Sequence, residues 1–424
     1  MKRHLGGLML AATLAWAVLA RAEPVPAPAD LPPADLPPAA AVEQALDAHP
    51  LVRAARADLR GAQAERRLLR AGEHEFGLNL ATQRRNVSNG PDYTEWSVAL
   101  LRGVRLAGKA ELDDRIGAQG ELAALERIGD ARHEAARQLL GYWYAARQAG
   151  AEVDIWRRQV DLLREEKRVV DLRVRRGDAA RLDTLQAEAA LAQARSQLAA
   201  AQAREQTALA ELGARFPELP APAASAAAPV VPEGDLAAWR ARVLEHNHEL
   251  LMVQRQLEQA RLQARRAEAD RRPDPVLGMH VASEQGGNEH LIGVSLSIPL
   301  PGEARNARVQ SRLAQAEALA EAEAATRRRL LAEAGANWQR AAAGVESWQR
   351  LAEAEAAVSR HADLARRAHE LGELGLSDTL LARRAALDAQ LAAAQARIAG
   401  NEAVARLLLD AHRLWPLDDD DEHR

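Results

Sequence analysis

The hydrophobic and polar positions change period along the chain in an order that occurs twice. Over 41–73, Leu46, Val52, Leu59 and Leu68–Leu69 stand among Arg and Glu at helical spacing, which predicts a helix. Phe76 to Thr82 and Glu95 to Leu100 then alternate with period two. The turn formers Asn86, Ser88, Asn89, Gly90 and Pro91 lie between them, so 76–105 reads as a β-hairpin. From Leu106 to Arg176 the chain is rich in Ala, Leu, Arg and Glu without a proline, which predicts a helix of about 105 Å. Gly177-Asp178 breaks it, and another helix follows to Arg215. The second pass has a helix over 235–271, strands over 276–284 and 290–298 within a hairpin at 275–299, and a long helix over 304–371. Breaks at Gly372 and Gly375 precede a last helix over 376–414.

The duplication can be checked residue by residue. Gly177-x5-Asp183-Thr184-Leu185 returns as Gly372-x5-Asp378-Thr379-Leu380. The strand exits Leu106-Ala107-Gly108-Lys109 and Leu300-Pro301-Gly302-Glu303 lie at nearly the same shift. Two structural repeats, 41–215 and 235–415, are therefore expected around a Pro/Ala-rich linker at 216–234. The helix before each hairpin and the helix after each break together match the long helix in length, so two short helices can lie antiparallel along one long one.

Composition sharpens this picture. Seven of the 19 prolines fall between Pro24 and Pro38, and none between Pro91 and Pro217 or between Pro301 and Pro416. Two long stretches thus lack the strongest helix breaker, which argues against an ordinary α/β enzyme. No Cys is present, which excludes a disulfide framework, a thiolate metal site and a lipidated Cys. The formal charge of −4 argues against nucleic acid as a partner. A basic head at Lys2-Arg3, an apolar run and the small-x-small site Ala20-Arg21-Ala22 predict a signal peptide at 1–22. A Pro/Ala-rich linker follows at 23–40, and an acidic tail closes the chain at 416–424.

The strands carry the first functional signal. Trp96, Val98 and Leu100 share one face of their strand, and Ile292, Val294, Leu296 and Ile298 share one face of theirs; small or polar residues alternate with them. That is the pattern of a barrel strand between lipid and water. Four strands cannot close a barrel, and lipid does not tolerate open edges, so several chains would have to contribute to one barrel.

In order and spacing, these features resemble the TolC family of outer-membrane efflux proteins over 42–415. The resemblance rests on the duplicated plan, on Leu46-Asp47-Ala48-His49-Pro50-Leu51, on Val294-Ser295-Leu296-Ser297-Ile298-Pro299-Leu300 and on the two Gly-x5-Asp-x-Leu breaks. It implies a mainly α protomer with membrane β-strands. As a homotrimer, this protomer would build a 12-stranded β-barrel in outer-membrane lipid and an α-helical barrel in the periplasm. Such a protein is a passive exit duct without catalytic residues, cofactor or metal, and its partners are a periplasmic adaptor and an inner-membrane RND-type pump. The missing Cys and the dense Ala/Arg/Glu helices are similar to the heavy-metal branch. By the same resemblance Gly177, Asp178, Gly372 and Gly375 mark the periplasmic tips where adaptors dock, and Asp183 and Asp378 are entrance-gate candidates. Leu374, Ala179 and Leu381 depart from the charged entrance of the family's archetype, which favours closure by packing. Asp183 and Asp378 also suit helix N-terminal capping, and both readings stand.

Other motifs point elsewhere. Gly103 to Ala110 nearly spells a phosphate-binding loop, but Ala110 replaces the hydroxyl residue that holds Mg²⁺. His246 and His248, and His361 and His369, are read as solvated residues of polar helices rather than metal ligands. The rival classes are an exported coiled-coil stalk or adhesin, which leaves two matched hairpins unexplained, and a periplasmic adaptor, which needs a β-rich lipoyl-like segment that the sequence lacks.

Overall fold

The computed structural model describes residues 35–223 and 227–415. The expected signal peptide, most of the first linker and the acidic tail lie outside the described residues. The first repeat runs α1 (Ala39–Ala48), α2 (Pro50–Ala71), β1 (Phe76–Arg85), β2 (Tyr93–Gly103), α3 (Lys109–Arg176) and α4 (Arg181–Arg215). The second runs α5 (Leu236–Glu245), α6 (His248–Ala269), β3 (Val276–Glu284), β4 (Glu289–Ser297), α7 (Glu303–Glu370) and α8 (Leu376–Asp410). Corresponding helices have equal lengths. Both α3 and α7 have 68 residues, α4 and α8 have 35, α2 and α6 have 22, and α1 and α5 have 10. The internal duplication is therefore preserved almost to the residue.

In each repeat the helix expected before the hairpin is two helices. In the first, His49 is extended at ψ 136° and Pro50 opens α2. Proline is favoured there because its missing N–H is unneeded in a first turn, and it pushes the preceding residue out of the helical region. In the second, the Asn247 side chain accepts from Leu250 N–H at 2.9 Å and starts α6 afresh. The periodicity on either side hid both breaks.

The short helices pack along the long ones as the length argument requires: α2 and α4 against α3, α6 and α8 against α7. The halves are joined by α6 and α8 packing on α3, and by β2 pairing with β3. The main core is a band at mid-length. Trp143 and Tyr144 of α3, Trp239 of α5, Leu407 to Leu409 of α8 and Phe216 meet there, all nearly inaccessible. Most of the scarce aromatics are spent on this one girdle, where helices from both halves meet. Above and below it the helices pack mainly through Ala, Leu, Val and Ile, joined by Trp156 on the tip side.

Two segments expected as linkers make specific contacts where they are described. Asp35 is buried, its carbonyl accepts from Trp143 Nε1–H at 2.8 Å, and its carboxylate faces Arg147 at 3.3 Å. Phe216 is fully buried and stacks on His49, and the Ala227 carbonyl accepts from Asn401 at 2.8 Å.

Candidate functional site

The two hairpins form one antiparallel sheet in the order β1-β2-β3-β4. Paired residues on antiparallel strands point to the same side, so the register defines the faces. Val98 sits opposite Leu80 and Val281, Leu100 opposite Leu78 and Met279, and Val281 and Met279 opposite Ile292 and Val294. Trp96 and Leu296 share this face, and Ile298, one residue past the end of β4, follows the same alternation. All seven strand positions singled out from the sequence thus fall on one continuous apolar face. Leu78 and Leu80 of β1 and Met279 and Val281 of β3 complete it, and only the strand pairing shows that the four strands put their apolar residues on the same side. Ile292 and Val294 are about four-fifths exposed, at 80% and 83%. No helix packs across the sheet among the described residues.

The opposite face is mostly polar or small, with Gly77, Asn79, Ala81 and Gln83 on β1, Ser97 and Ala99 on β2, His280 on β3 and Gly293 and Ser295 on β4, and it also carries Leu101, Val276 and Leu291. Near the hairpin turns it holds an ion-pair network. Arg85 bridges Glu95 at 3.0 Å and Glu284 at 2.7 Å, and Gln83 donates to Glu95 at 2.8 Å. One wet face and one apolar face, with β1 and β4 each paired on one side only among the described residues, are what an open segment of a larger barrel presents. No described helix is long and apolar enough to cross a membrane.

Where the strands meet the helices, charged residues bind the two repeats together. The near-phosphate-loop Lys109 is 2% exposed, and its Nζ donates to Arg272 O at 2.7 Å, to Asp274 Oδ1 at 2.8 Å and to Asp270 Oδ1 at 3.0 Å. Asp274 also accepts from Leu106 N–H at 2.9 Å and from His74 Nε2 at 3.1 Å. Burial alone would raise the Asp274 carboxyl; the bonds from Lys109, Leu106 and His74 outweigh it and hold it at about 2 against an ordinary 3.8. Beside it Asp113 joins Arg105 at 2.9 Å and Arg266 at 2.6 Å. The residues that imitate a nucleotide loop are a clamp between the first hairpin's exit and the second hairpin's entrance.

At the far end of the long helices the two breaks form matching turns. Gly177 and Gly372 adopt left-handed backbone at φ 84° and 82°. Asp178 N–H returns to Arg173 O and Glu373 N–H to Ala368 O, both at 2.9 Å, and the glycine N–H groups bond Val174 O and His369 O. Both are Schellman turns, which need glycine for its backbone freedom rather than for space: nothing would lie within 4 Å of a Cβ at either position. The turns lie side by side. Val170, Ala187 and Leu376 pack together, Arg173 donates to His369 O and Glu370 O, and Ser377 donates to Gln186. Asp178 and Gly375 are exposed beside them. Asp183 caps α4 by accepting from Ala180 N–H at 3.2 Å, while Asp378 is exposed in the first turn of α8.

Two of the four histidines read as solvated are not. His369 Nδ1 bonds Leu374 O at 2.9 Å inside the second turn. His248 pairs with Glu126 at 3.0 Å, and its ring lies 5.3 Å from that of His412 in a tilted arrangement; His412 in turn stacks on His133. His133 is far distant in sequence from both, so no local pattern could have signalled the cluster. Among the described residues no group of His, Asp and Glu is arranged to hold a metal ion.

No protein-family model matches the sequence, and no curated protein matches it significantly. Solved structures do match in fold. CusC, crystallised in a study of folding and transmembrane channel formation, is similar at a TM-score of 0.69 and 16% identity over 88% of this chain and 91% of that one. The CmeC outer membrane channel of Campylobacter jejuni matches at a TM-score of 0.69 and 15% identity, over 90% of this chain and 86% of that one. The outer membrane protein VceC of Vibrio cholerae matches at 0.67 and 18% identity, over 89% and 99%. The chain has the fold of these outer-membrane proteins along nearly its whole length.

Proposed function

We propose that this protein is the outer-membrane exit duct of a tripartite efflux system, a passive conduit rather than an enzyme. The observation that carries the reading is the sheet. Four strands present a largely apolar face on one side, a mostly polar or small face on the other and two edges without a partner among the described residues, at the end of helices about 100 Å long. Such edges are stable in lipid only when β4 of one copy pairs with β1 of the next. Three copies then close a 12-stranded barrel around a water-filled lumen lined by Ser97, His280 and Ser295. The helices continue that lumen through the periplasm. The shared fold with outer-membrane channels supports this reading.

In the same reading the two repeats, 41–215 and 235–415, are the two parts of each protomer's wall, and 1–22 directs export. The adjoining turns at Gly177-Asp178 and Gly372 to Gly375 receive a periplasmic adaptor, behind which an inner-membrane pump supplies the energy. Asp183 and Asp378 lie where the tube would narrow, with Asp183 also capping its helix. A stalk or adhesin has no use for a sheet with one lipid-like face.

The test is fractionation of the expressed protein, followed by electrophoresis with and without heating. A heat-modifiable trimer in outer membranes, conducting in planar bilayers, is expected. Recovery as a soluble periplasmic monomer would sink the proposal.

A further inference from the structure

The apolar face of the sheet carries one charge inside it. Arg102 of β2 lies on that face, opposite Phe76 of β1 and Leu277 of β3. Among the described residues it is the one charged strand position of that face between the row of Trp96 and the helices. Its guanidinium carbon sits 4.5 Å from the centre of the Phe76 ring, and both side chains are exposed. Arg102 is not at the rim, because exposed Val104 and Ile298 continue the face towards the helices. No carboxylate pairs with it among the described residues. The carboxylates of the helix–strand junction, Asp113, Asp270 and Asp274, are committed to Arg105, Arg266 and Lys109. At the shift that relates the two strand exits, the second repeat has Leu296 here, so the strand itself does not require a cation.

A charge on a lipid-facing strand is costly unless it lies at headgroup level or meets a counter-charge. Stacking on Phe76 uses the flat face of the guanidinium and leaves its in-plane N–H groups at the edge, where they can hold two oxygens of one phosphate. We infer that Arg102 and Phe76 form a binding site for the phosphate of a glycerophospholipid, whose acyl chains lie along Leu78, Leu100 and Leu296. Charge complementarity selects the phosphate, and the surrounding apolar residues select the chains; a soluble anion gains only the first. The inference rests on the outer-membrane reading, which puts this face in lipid. In that reading the strand ends that join the helices face the periplasm, so the lipid belongs to the periplasmic leaflet. Its headgroup is drawn past Val104 and Ile298 to the guanidinium, one lipid per chain, and pins the bilayer to the junction of sheet and helices.

The test is native mass spectrometry of the full-length protein released from a maltoside detergent, titrated with phosphatidylglycerol, with diacylglycerol of the same chains, or with inorganic phosphate. Saturable binding of one phosphatidylglycerol per chain is expected, with diacylglycerol at least about tenfold weaker and inorganic phosphate silent, since a charge-assisted hydrogen bond is worth about a tenfold change or more. Arg102→Leu, which copies the second repeat at an exposed position, should weaken phosphatidylglycerol about tenfold and leave diacylglycerol unchanged. Phe76→Leu should weaken phosphatidylglycerol about threefold by removing the seat of the guanidinium. Equal binding of the two lipids, or phosphatidylglycerol affinity unchanged in Arg102→Leu, would overturn the assignment. Inorganic phosphate binding as tightly as the lipid, and lost in Arg102→Leu, would overturn it in favour of a soluble anion. The readout needs no conducting channel, so these results reject the lipid site alone. A parent protein that stays soluble without detergent and binds neither lipid would reject the duct reading together with it.

Discussion

Replacing Lys109 by Met tests whether the near-phosphate loop is a clamp. The ammonium is 2% exposed and satisfies two carboxylates and a carbonyl, all within 3.0 Å. Methionine keeps the length of the stem and removes the charge. Breaking a buried ion pair by deleting one partner costs about 3–5 kcal/mol. The low end applies, because Asp274 keeps Leu106 N–H and His74, and Asp270 keeps Arg266. A loss of about 3 kcal/mol is roughly 150-fold in an equilibrium constant, or in the unfolding rate if the clamp is broken in the transition state. The assay is the unfolding rate of the detergent-solubilised protein in guanidinium, because unfolding of such a protein is expected to be irreversible. The pH dependence gives a second readout. With a carboxyl depressed to about 2 in the fold, its contribution is fully present above pH 3.8 and is lost as pH falls from there through about 2. Allowing for solvent screening, that contribution is about 1–2 kcal/mol. In Lys109→Met the acid transition should begin at higher pH, and adding Asp274→Asn should recover about tenfold in rate by removing the orphaned charge. Unfolding of Lys109→Met within threefold of the parent, with an unshifted acid transition, would refute the clamp.

On the apolar sheet face, Val294→Arg should cost about 2–4 kcal/mol and deplete the protein from outer membranes, whereas Ser297→Arg on the opposite face should be tolerated; quantitative blotting of membrane fractions distinguishes them. At the tips, Asp183→Ala should cost about 1 kcal/mol in thermal stability through its lost cap. Asp378→Ala should leave stability unchanged and alter conductance or cation preference in planar bilayers; an unchanged channel would remove it from the gate. At mid-length, burial lowers His133 well below its ordinary 6.5, helped by the charges of Arg137, His412 and Arg406 and opposed by its bond to Leu409 O, with the Asp410 carboxylate 3.7 Å away. The folded state then binds fewer protons than the unfolded one below pH 6.5, so stability should fall from there at up to about 1.4 kcal/mol per pH unit. Denaturation at pH 7 and pH 5.5 checks this, and His133→Gln should flatten the slope.

The repeat, the element order and the sheet's apolar face were legible because each rests on short-range information. Period-two alternation at Trp96-Val98-Leu100 and Ile292-Val294-Leu296, proline placement and the Gly-x5-Asp pattern are all local signals. What stayed hidden depends on long-range pairing. The girdle joins residues such as Trp143, Trp239 and Leu408, far apart in the sequence. Lys109 reads as a nucleotide-loop residue until Asp270 and Asp274 of the other repeat are seen beside it. His248 looks like a polar helix residue because its partners are far from it in sequence, Glu126 on α3 of the first repeat and His412 just past α8.

Duplication explains why the seams of the wall differ. Within one chain the seam between repeats is sealed where β2 pairs with β3, where the Lys109 and Asp113 clusters clamp the helix–strand junction, and where α6 and α8 pack along α3, α8 down to the tips. The outer edges have the same strand chemistry but no partner within the chain. A second copy offers β1 what β2 offers β3, an antiparallel neighbour with its apolar residues on the same side. The junction there differs, because the residue matching Lys109 in the second repeat is Glu303 and the buried lysine clamp is not repeated. In the proposed barrel, the junction of β4 with β1 of the next copy would lack this lysine clamp. The ties described within the chain thus join its two repeats, at the β2–β3 pairing, the Lys109 and Asp113 clusters and the packing of α6 and α8 on α3.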